Sequence, residues 1–121
     1  MRKLIIMAID DEPVNLKLME AWLKPLGHTV ITASDGLGAL DVILAKKPDL
    51  ILLDVMMPGL NGYSTLSKIK ENELISQIPV IMLTAVDFEL NKTLAFQLGA
   101  CAYLTKPVEK TELLDTISLY S

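Results

Sequence analysis

The chain has 121 residues, 51% of them hydrophobic, which suits one compact core that buries roughly two thirds of the surface the unfolded chain exposes. Its 15 acidic and 11 basic residues leave a formal net charge of -4, which argues against a partner bound mainly through nucleic-acid phosphates. A single cysteine, Cys101, excludes an internal disulfide, so we expect one cytoplasmic domain over residues 1–121.

The first predicted element is a buried strand, the apolar run from Leu4 to Ile9. It is too short for the apolar region of a signal peptide or for a membrane span, and the acidic residues Asp10, Asp11 and Glu12 follow it at once. A run that is apolar at every position is typical of a strand covered on both faces. We therefore expect no membrane association.

The next segment, Val14 to Leu26, has the spacing of a helix. Its apolar residues recur at steps of three and four positions, at Leu16, Met19, Leu23 and Leu26. Pro13 suits the first turn of this helix and Gly27 suits its end. Pro25 lacks a backbone N–H, so it should end or bend the helix near Lys24.

The same alternation of strand and helix continues to the end of the chain. The further predicted strands are His28–Ala33, Asp49–Leu53, Pro79–Leu83 and Cys101–Leu104. Helical stripes follow them, marked by Leu37 to Leu44, by Leu66 and Ile69, by Leu90 to Leu98, and by Leu113 to Ile117. Five strand–helix units predict an α/β fold, with a parallel sheet covered by helices on both faces.

Chemically active residues follow the predicted strands at their carboxyl ends. Asp10 and Asp11 follow the first strand, Asp54 the third and Thr84 the fourth, and Lys106 lies just beyond the fifth. In open parallel sheets, ligands bind at this edge. The sequence therefore predicts that these side chains share one site.

Four segments carry a resemblance to a known family. They are Ile9-Asp10-Asp11-Glu12-Pro13, Leu52-Leu53-Asp54-Val55-Met56-Met57-Pro58-Gly59-Leu60-Asn61-Gly62, Thr84-Ala85 and Ala102-Tyr103-Leu104-Thr105-Lys106-Pro107. In this order they closely resemble the receiver domain of bacterial response regulators, including the chemotaxis receivers, over nearly the whole chain. The resemblance implies a flavodoxin-like (βα)5 three-layer sandwich with strand order 2-1-3-4-5.

The resemblance also assigns roles at the site. Asp54 would be the phosphoacceptor, and Mg²⁺ would be bound directly by Asp11 and Asp54, through water by Asp10 and through the backbone carbonyl of Met56. Such a cation fits, because several carboxylates held about 4 Å apart repel one another by several kcal/mol at an effective dielectric of ~20. Lys106 would pair with one phosphoryl oxygen and Thr84 would donate a hydrogen bond to another.

A phosphorylation switch follows from the same resemblance. Thr84 would move toward the phosphoryl group and Tyr103 would turn into the vacated space, altering the surface of the fourth helix, fifth strand and fifth helix. Lys106-Pro107 would be a cis peptide. The partners implied are a histidine kinase or phosphotransfer protein and a downstream protein or fused output domain. The chain ends at Ser121 without an output domain of its own, so it is either a stand-alone receiver or a segment of a longer protein.

Each of these residues also has a simpler interpretation. Asp10 and Asp11 suit a helix N-terminus, Lys106 a surface lysine, Thr84 a strand end and Tyr103 ordinary packing. Asp54 is the exception, because no helix that it would cap follows it directly. We expect His28 to be a surface residue away from the site, and Cys101 to be a packed side chain.

Other functions are open to this fold. A degenerate receiver would bind partners without phosphorylation, and a flavodoxin would bind FMN, although the phosphate-cradling loop expected after the first strand is missing. An aspartyl-phosphate phosphatase would carry a second acid two residues after its nucleophile, where this chain has Met56. We favour a switch that is not a turnover enzyme.

The lifetime of the phosphorylated state can also be anticipated from the resemblance. In receivers, the side chains at positions 56 and 86 flank the phosphoryl group, and here they are Met56 and Val86. Neither can orient a hydrolytic water by hydrogen bonding. We expect slow self-dephosphorylation, measurable against a variant that carries Met56→Asn and Val86→Glu.

Overall fold

The computed structural model describes residues 2–55, 62–84 and 89–121. Its elements are β1 (Ile5–Ile9), α1 (Pro13–Leu23), a 3₁₀ turn (Lys24–Leu26), β2 (Thr29–Ala33), α2 (Gly36–Lys46), β3 (Leu50–Asp54), α3 (Gly62–Glu71), β4 (Val80–Thr84), α4 (Glu89–Gln97), β5 (Ala102–Thr105) and α5 (Lys110–Ser118). The strands form one parallel sheet of order β2-β1-β3-β4-β5. The predicted flavodoxin-like order is confirmed.

Two apolar layers cover the sheet, and strand alternation decides which residue enters each. In β3, Ile51 and Leu53 pack beneath α2, α3 and α4, whereas Leu50 and Leu52 pack beneath α1 and α5. Successive side chains point to opposite faces, so a strand covered on both faces must be apolar at every position. In the described part of the chain, no helix has the length and apolar character needed to cross a membrane.

The first helix ends as its proline predicts. Regular α-helix stops at Leu23, and Pro25 lies in the 3₁₀ turn that follows. Gly27 closes the turn at φ 92°, a left-handed conformation that favours glycine. The apolar spacing that includes Leu26 predicts that it is buried with the rest of the helical stripe, and this is wrong: Leu26 lies in the 3₁₀ turn and is 41% exposed, because the tighter turn rotates it off the apolar stripe of α1.

His28 corrects a second prediction. It is only 4% exposed, and its Nδ1 accepts a hydrogen bond of 3.0 Å from the backbone N–H of Leu4. Because Nδ1 accepts, the ring proton resides on Nε2, which has no hydrogen-bond partner among the described residues. Burial lowers the pKa of His28. The residue is thus part of the packed amino end of the sheet, not of the surface.

Gly62 brings α3 against the end of β3. Its N–H donates to the carbonyl oxygen of Val55 at 2.7 Å. A β-carbon at position 62 would overlap the carbonyl oxygen of Asp54 and lie 2.6 Å from the Val55 α-carbon. Only glycine permits this approach, so the backbone of Asp54 is held in part by a residue of the following helix.

Candidate functional site

Three distant residues meet at the carboxyl edge of the sheet: Asp10, Asp54 and Lys106. Each lies two positions after a residue that packs in the layer beneath α1 and α5. These three residues are Ala8, Leu52 and Leu104. With a strand period of two, the three side chains are directed to the same side of the sheet. Asp10 follows β1, Asp54 ends β3 and Lys106 follows β5, and these strands are consecutive in the sheet apart from β4 between β3 and β5. The predicted convergence is confirmed for these residues.

Lys106 links the two carboxylates. Its Nζ lies 2.8 Å from Oδ2 of Asp10 and 3.2 Å from Oδ1 of Asp54. The side chains of Asp10, Asp54 and Lys106 are 0%, 4% and 15% exposed. Burial by itself would lower the pKa of Lys106, but the hydrogen bond to Asp10 and the charge of Asp54 raise it overall. The lysine is therefore held as an ammonium ion between two anions, and the simpler interpretation as a surface lysine is wrong.

Asp10 is enclosed by donors. Oδ1 accepts from the backbone N–H of Glu12 at 2.9 Å, and Oδ2 accepts from Asn15 Nδ2 at 3.2 Å and from Lys106. The contact to Glu12 is an Asx turn that precedes α1; it reaches the backbone of the N-cap residue, not the free amides of the first helical turn, and α1 has no side-chain cap. The other two contacts belong to the site.

Acidic oxygen ligands for a metal are present at the same edge. Asp10, Asp11 and Glu12 each offer a carboxylate oxygen, and these atoms lie within 4.8 Å of one another. A carboxylate-rich set of this kind suits a hard divalent cation such as Mg²⁺. Glu12 was not among the predicted metal ligands, although its position next to Asp11 could have indicated that role. That Asp11 and Asp54 bind the metal together stays a prediction.

Thr84 and Tyr103 lie on neighbouring strands near the site. Thr84 is the last residue of β4 and is 1% exposed. The half-buried Tyr103 pairs in register with Met82, and both pack in the layer beneath α2, α3 and α4. Burial and a hydrogen bond with Tyr103 raise the pKa of Tyr63, so the aromatic residue proposed to switch has a phenolic neighbour on α3. No sequence signal pointed to Tyr63.

The remaining predicted features have mixed outcomes. Lys106-Pro107 is a cis peptide, as predicted. Cys101 is half-buried and packs against the layer beneath α1 and α5, also as predicted. Met56 and Val86 lie outside the described residues, so the carbonyl ligand and the two flanking side chains stay predictions.

Comparison with known proteins agrees with this geometry. The chain matches the family "Response regulator receiver domain" over residues 6–118. It is 38% identical over 113 residues to the protein PilH of Pseudomonas aeruginosa, covering 93% of each chain. Chemotaxis protein CheY4 of Vibrio cholerae superposes with a TM-score of 0.93 at 27% identity, over 99% of this chain and 100% of that one.

A further similar structure is the receiver domain of the sensor histidine kinase PA1611 of P. aeruginosa, with a TM-score of 0.88 and 32% identity over 98% of each chain. That structure has a magnesium ion coordinated in its active site cleft. Fold and site together define a parallel α/β protein with an acidic pocket that contains a largely buried lysine. The chain belongs to the response regulator receiver domain family; such domains act as signalling switches in two-component systems rather than as classical enzymes.

Proposed function

We propose that this receiver, taken as one domain over residues 1–121, is phosphorylated on Asp54 by a histidine kinase or phosphotransfer protein in the cytoplasm. The observation that carries the proposal is the contact of Lys106 with both Asp54 and Asp10 at the carboxyl edge. A buried carboxylate beside an ammonium ion is suited to a transfer in which negative charge spreads over equatorial oxygens.

The reaction proposed is an in-line displacement. A carboxylate oxygen of Asp54 attacks the phosphorus of the donor, and an acyl phosphate forms as the bond from phosphorus to the donor nitrogen or oxygen breaks. The leaving group departs with that electron pair and takes a proton from solvent. Asp11 and Asp54, Asp10 through water, and the Met56 backbone carbonyl would hold Mg²⁺, which would supply positive charge against the phosphoryl oxygens. Lys106 neutralises part of the phosphoryl charge, and the Thr84 hydroxyl donates to a third oxygen.

The proposed output is a change of surface. A phosphoryl group adds up to about two negative charges and three acceptor oxygens at Asp54. Thr84, buried beside it at the end of β4, moves toward these oxygens, and Tyr103 turns inward as space opens. The altered surface comprises α4, β5 and α5, and a downstream protein or fused output domain binds it.

The direct test is intact mass after incubation with acetyl phosphate and Mg²⁺. We expect the mass of one phosphoryl group to be added to the wild-type chain and to Asp41→Asn, which removes an exposed acid of α2, but not to Asp54→Asn. If Asp54→Asn still gained a phosphoryl group, another residue would be the phosphoacceptor. No addition to the wild-type chain, while EDTA and Mg²⁺ samples behave identically, would favour the degenerate receiver that binds partners without phosphorylation.

A further inference from the structure

Asp10 Oδ2 has two side-chain donors that come from different parts of the chain. Lys106 Nζ, beyond the end of β5, lies at 2.8 Å, and Asn15 Nδ2, in the first turn of α1, lies at 3.2 Å. The other oxygen, Oδ1, is occupied by the Glu12 N–H. Asp10 is fully buried, so bulk water does not replace a donor that leaves Oδ2; the one water that the proposed function places at Asp10 is bound to Mg²⁺.

The proposed reaction makes conflicting demands on Lys106. At rest the ammonium lies nearer to Asp10 than to Asp54, at 2.8 Å against 3.2 Å. To pair with a phosphoryl oxygen on Asp54 it must give up at least part of its bond to Asp10. A buried, ionised oxygen left without a donor carries a penalty larger than that of an ordinary lost hydrogen bond.

We propose that Asn15 is a positioning residue that holds Asp10 Oδ2 while Lys106 moves from Asp10 to the phosphoryl group. This inference rests on the proposed phosphorylation of Asp54. The Asn15 amide is attached to α1, which is anchored by the buried Met19 and Leu23, so its bond to Asp10 does not depend on where the lysine lies. An amide donor also adds no charge that would compete with Lys106 for the phosphoryl oxygens.

The surroundings of the two donors support this role. Asn15 and Lys106 both border a groove of about 90 Å³, whose other walls are the apolar residues Leu18, Met19, Trp22, Pro107 and Val108. Open space thus lies beside the lysine side chain, while apolar walls keep the hydrogen bonds to Asp10 strong. Trp22, the single tryptophan of the chain, lies in the same groove and can report movement of Lys106 by its fluorescence.

The first test needs neither phosphodonor nor metal. It is a double-mutant cycle on unfolding by urea, with Asn15→Leu, Lys106→Met and the double variant. We expect Asn15→Leu to reduce the folding equilibrium constant several-fold more in the Lys106→Met background than in the wild type, because only there does Oδ2 lose its last side-chain donor. Equal costs in the two backgrounds would overturn the proposal.

The second test concerns the reaction. At saturating Mg²⁺ we expect Asn15→Leu to slow phosphorylation by acetyl phosphate roughly tenfold, and Asn15→Gln, which restores an amide donor, to recover much of that loss. Lys17→Leu, an exposed substitution in the same helix, is the matched control and should leave the rate unchanged. The Trp22 emission change on phosphorylation should be slowed in step with the mass change.

The outcomes separate the two proposals. A wild-type chain that gains no phosphoryl group refutes the proposed function, whereas the unfolding cycle still decides whether Asn15 and Lys106 share Asp10. A wild-type chain that is phosphorylated at the same rate as a folded Asn15→Leu variant refutes the role of Asn15 alone. The same holds if Asn15→Gln is as slow as Asn15→Leu.

Discussion

The buried lysine can be tested by Lys106→Met, which removes the ammonium but keeps an alkyl side chain. At an effective dielectric of ~20, each of its carboxylate contacts represents about 5–6 kcal/mol of gross attraction, most of which is offset by the cost of burying the charges. Removing one member of a buried ionic group leaves the other uncompensated and costs about 3–5 kcal/mol. For a domain of this size that corresponds to a fall in melting temperature on the order of 10–20 °C.

The chain contains a matched control for this substitution. Lys24 Nζ contacts Glu20 at the same distance, 2.8 Å, but the two side chains are 57% and 33% exposed. An exposed pair of this kind, one helical turn apart, contributes about 0.3–0.5 kcal/mol. Lys24→Met should therefore leave the melting temperature almost unchanged.

The assay is thermal unfolding followed by circular dichroism at pH 7, with and without Mg²⁺. We expect Mg²⁺ to raise the melting temperature of Lys106→Met more than that of the wild type, because the uncompensated carboxylates attract the cation more strongly. If Lys106→Met were no less stable than Lys24→Met, the buried lysine would not be neutralising Asp10 and Asp54, and the electrostatic reasoning would fail.

Two further predictions concern the frame of the site and the pH dependence of stability. Gly62→Ala should cost about 1–3 kcal/mol or more in urea unfolding, because the new methyl group overlaps the carbonyl oxygen of Asp54. Gly38→Ala, whose methyl group would meet only the Asp35 side chain at 3.2 Å, should be near neutral; equal costs would contradict the steric argument. His28 has a folded pKa below its usual 6.5, so its contribution to stability is complete above about pH 6.5 and is lost as the pH falls toward the folded pKa. His28→Asn, which keeps an acceptor for the Leu4 N–H but does not titrate, should flatten the stability profile between about pH 5 and 7; an unchanged profile would assign that dependence to other groups.

Local sequence chemistry determined the strands, the end of the first helix and the edge of the sheet at which the site lies. Continuous apolar runs such as Leu50 to Leu53 indicated strands covered on both faces, and Pro25 with Gly27 sets the end of α1, because these constraints act within a few residues. The placement of Asp10, Asp54 and Lys106 at one edge also followed from sequence, since carboxyl ends of parallel strands share an edge. Their family motifs reinforced the same assignment.

Tertiary structure alone decided the contacts that depend on side-chain packing between distant segments. Asn15 donates to Asp10, Tyr63 forms a hydrogen bond with Tyr103, and Gly62 approaches the Asp54 carbonyl, yet nothing in the segment around each residue predicted the contact. His28 shows the same limit: a polar residue at a strand start reads as exposed, but the adjacent Leu4 N–H needs an acceptor and the fold buries the ring to supply one. Sequence periodicity specifies which face a side chain takes, whereas its partner across that face is set by how the layers come together.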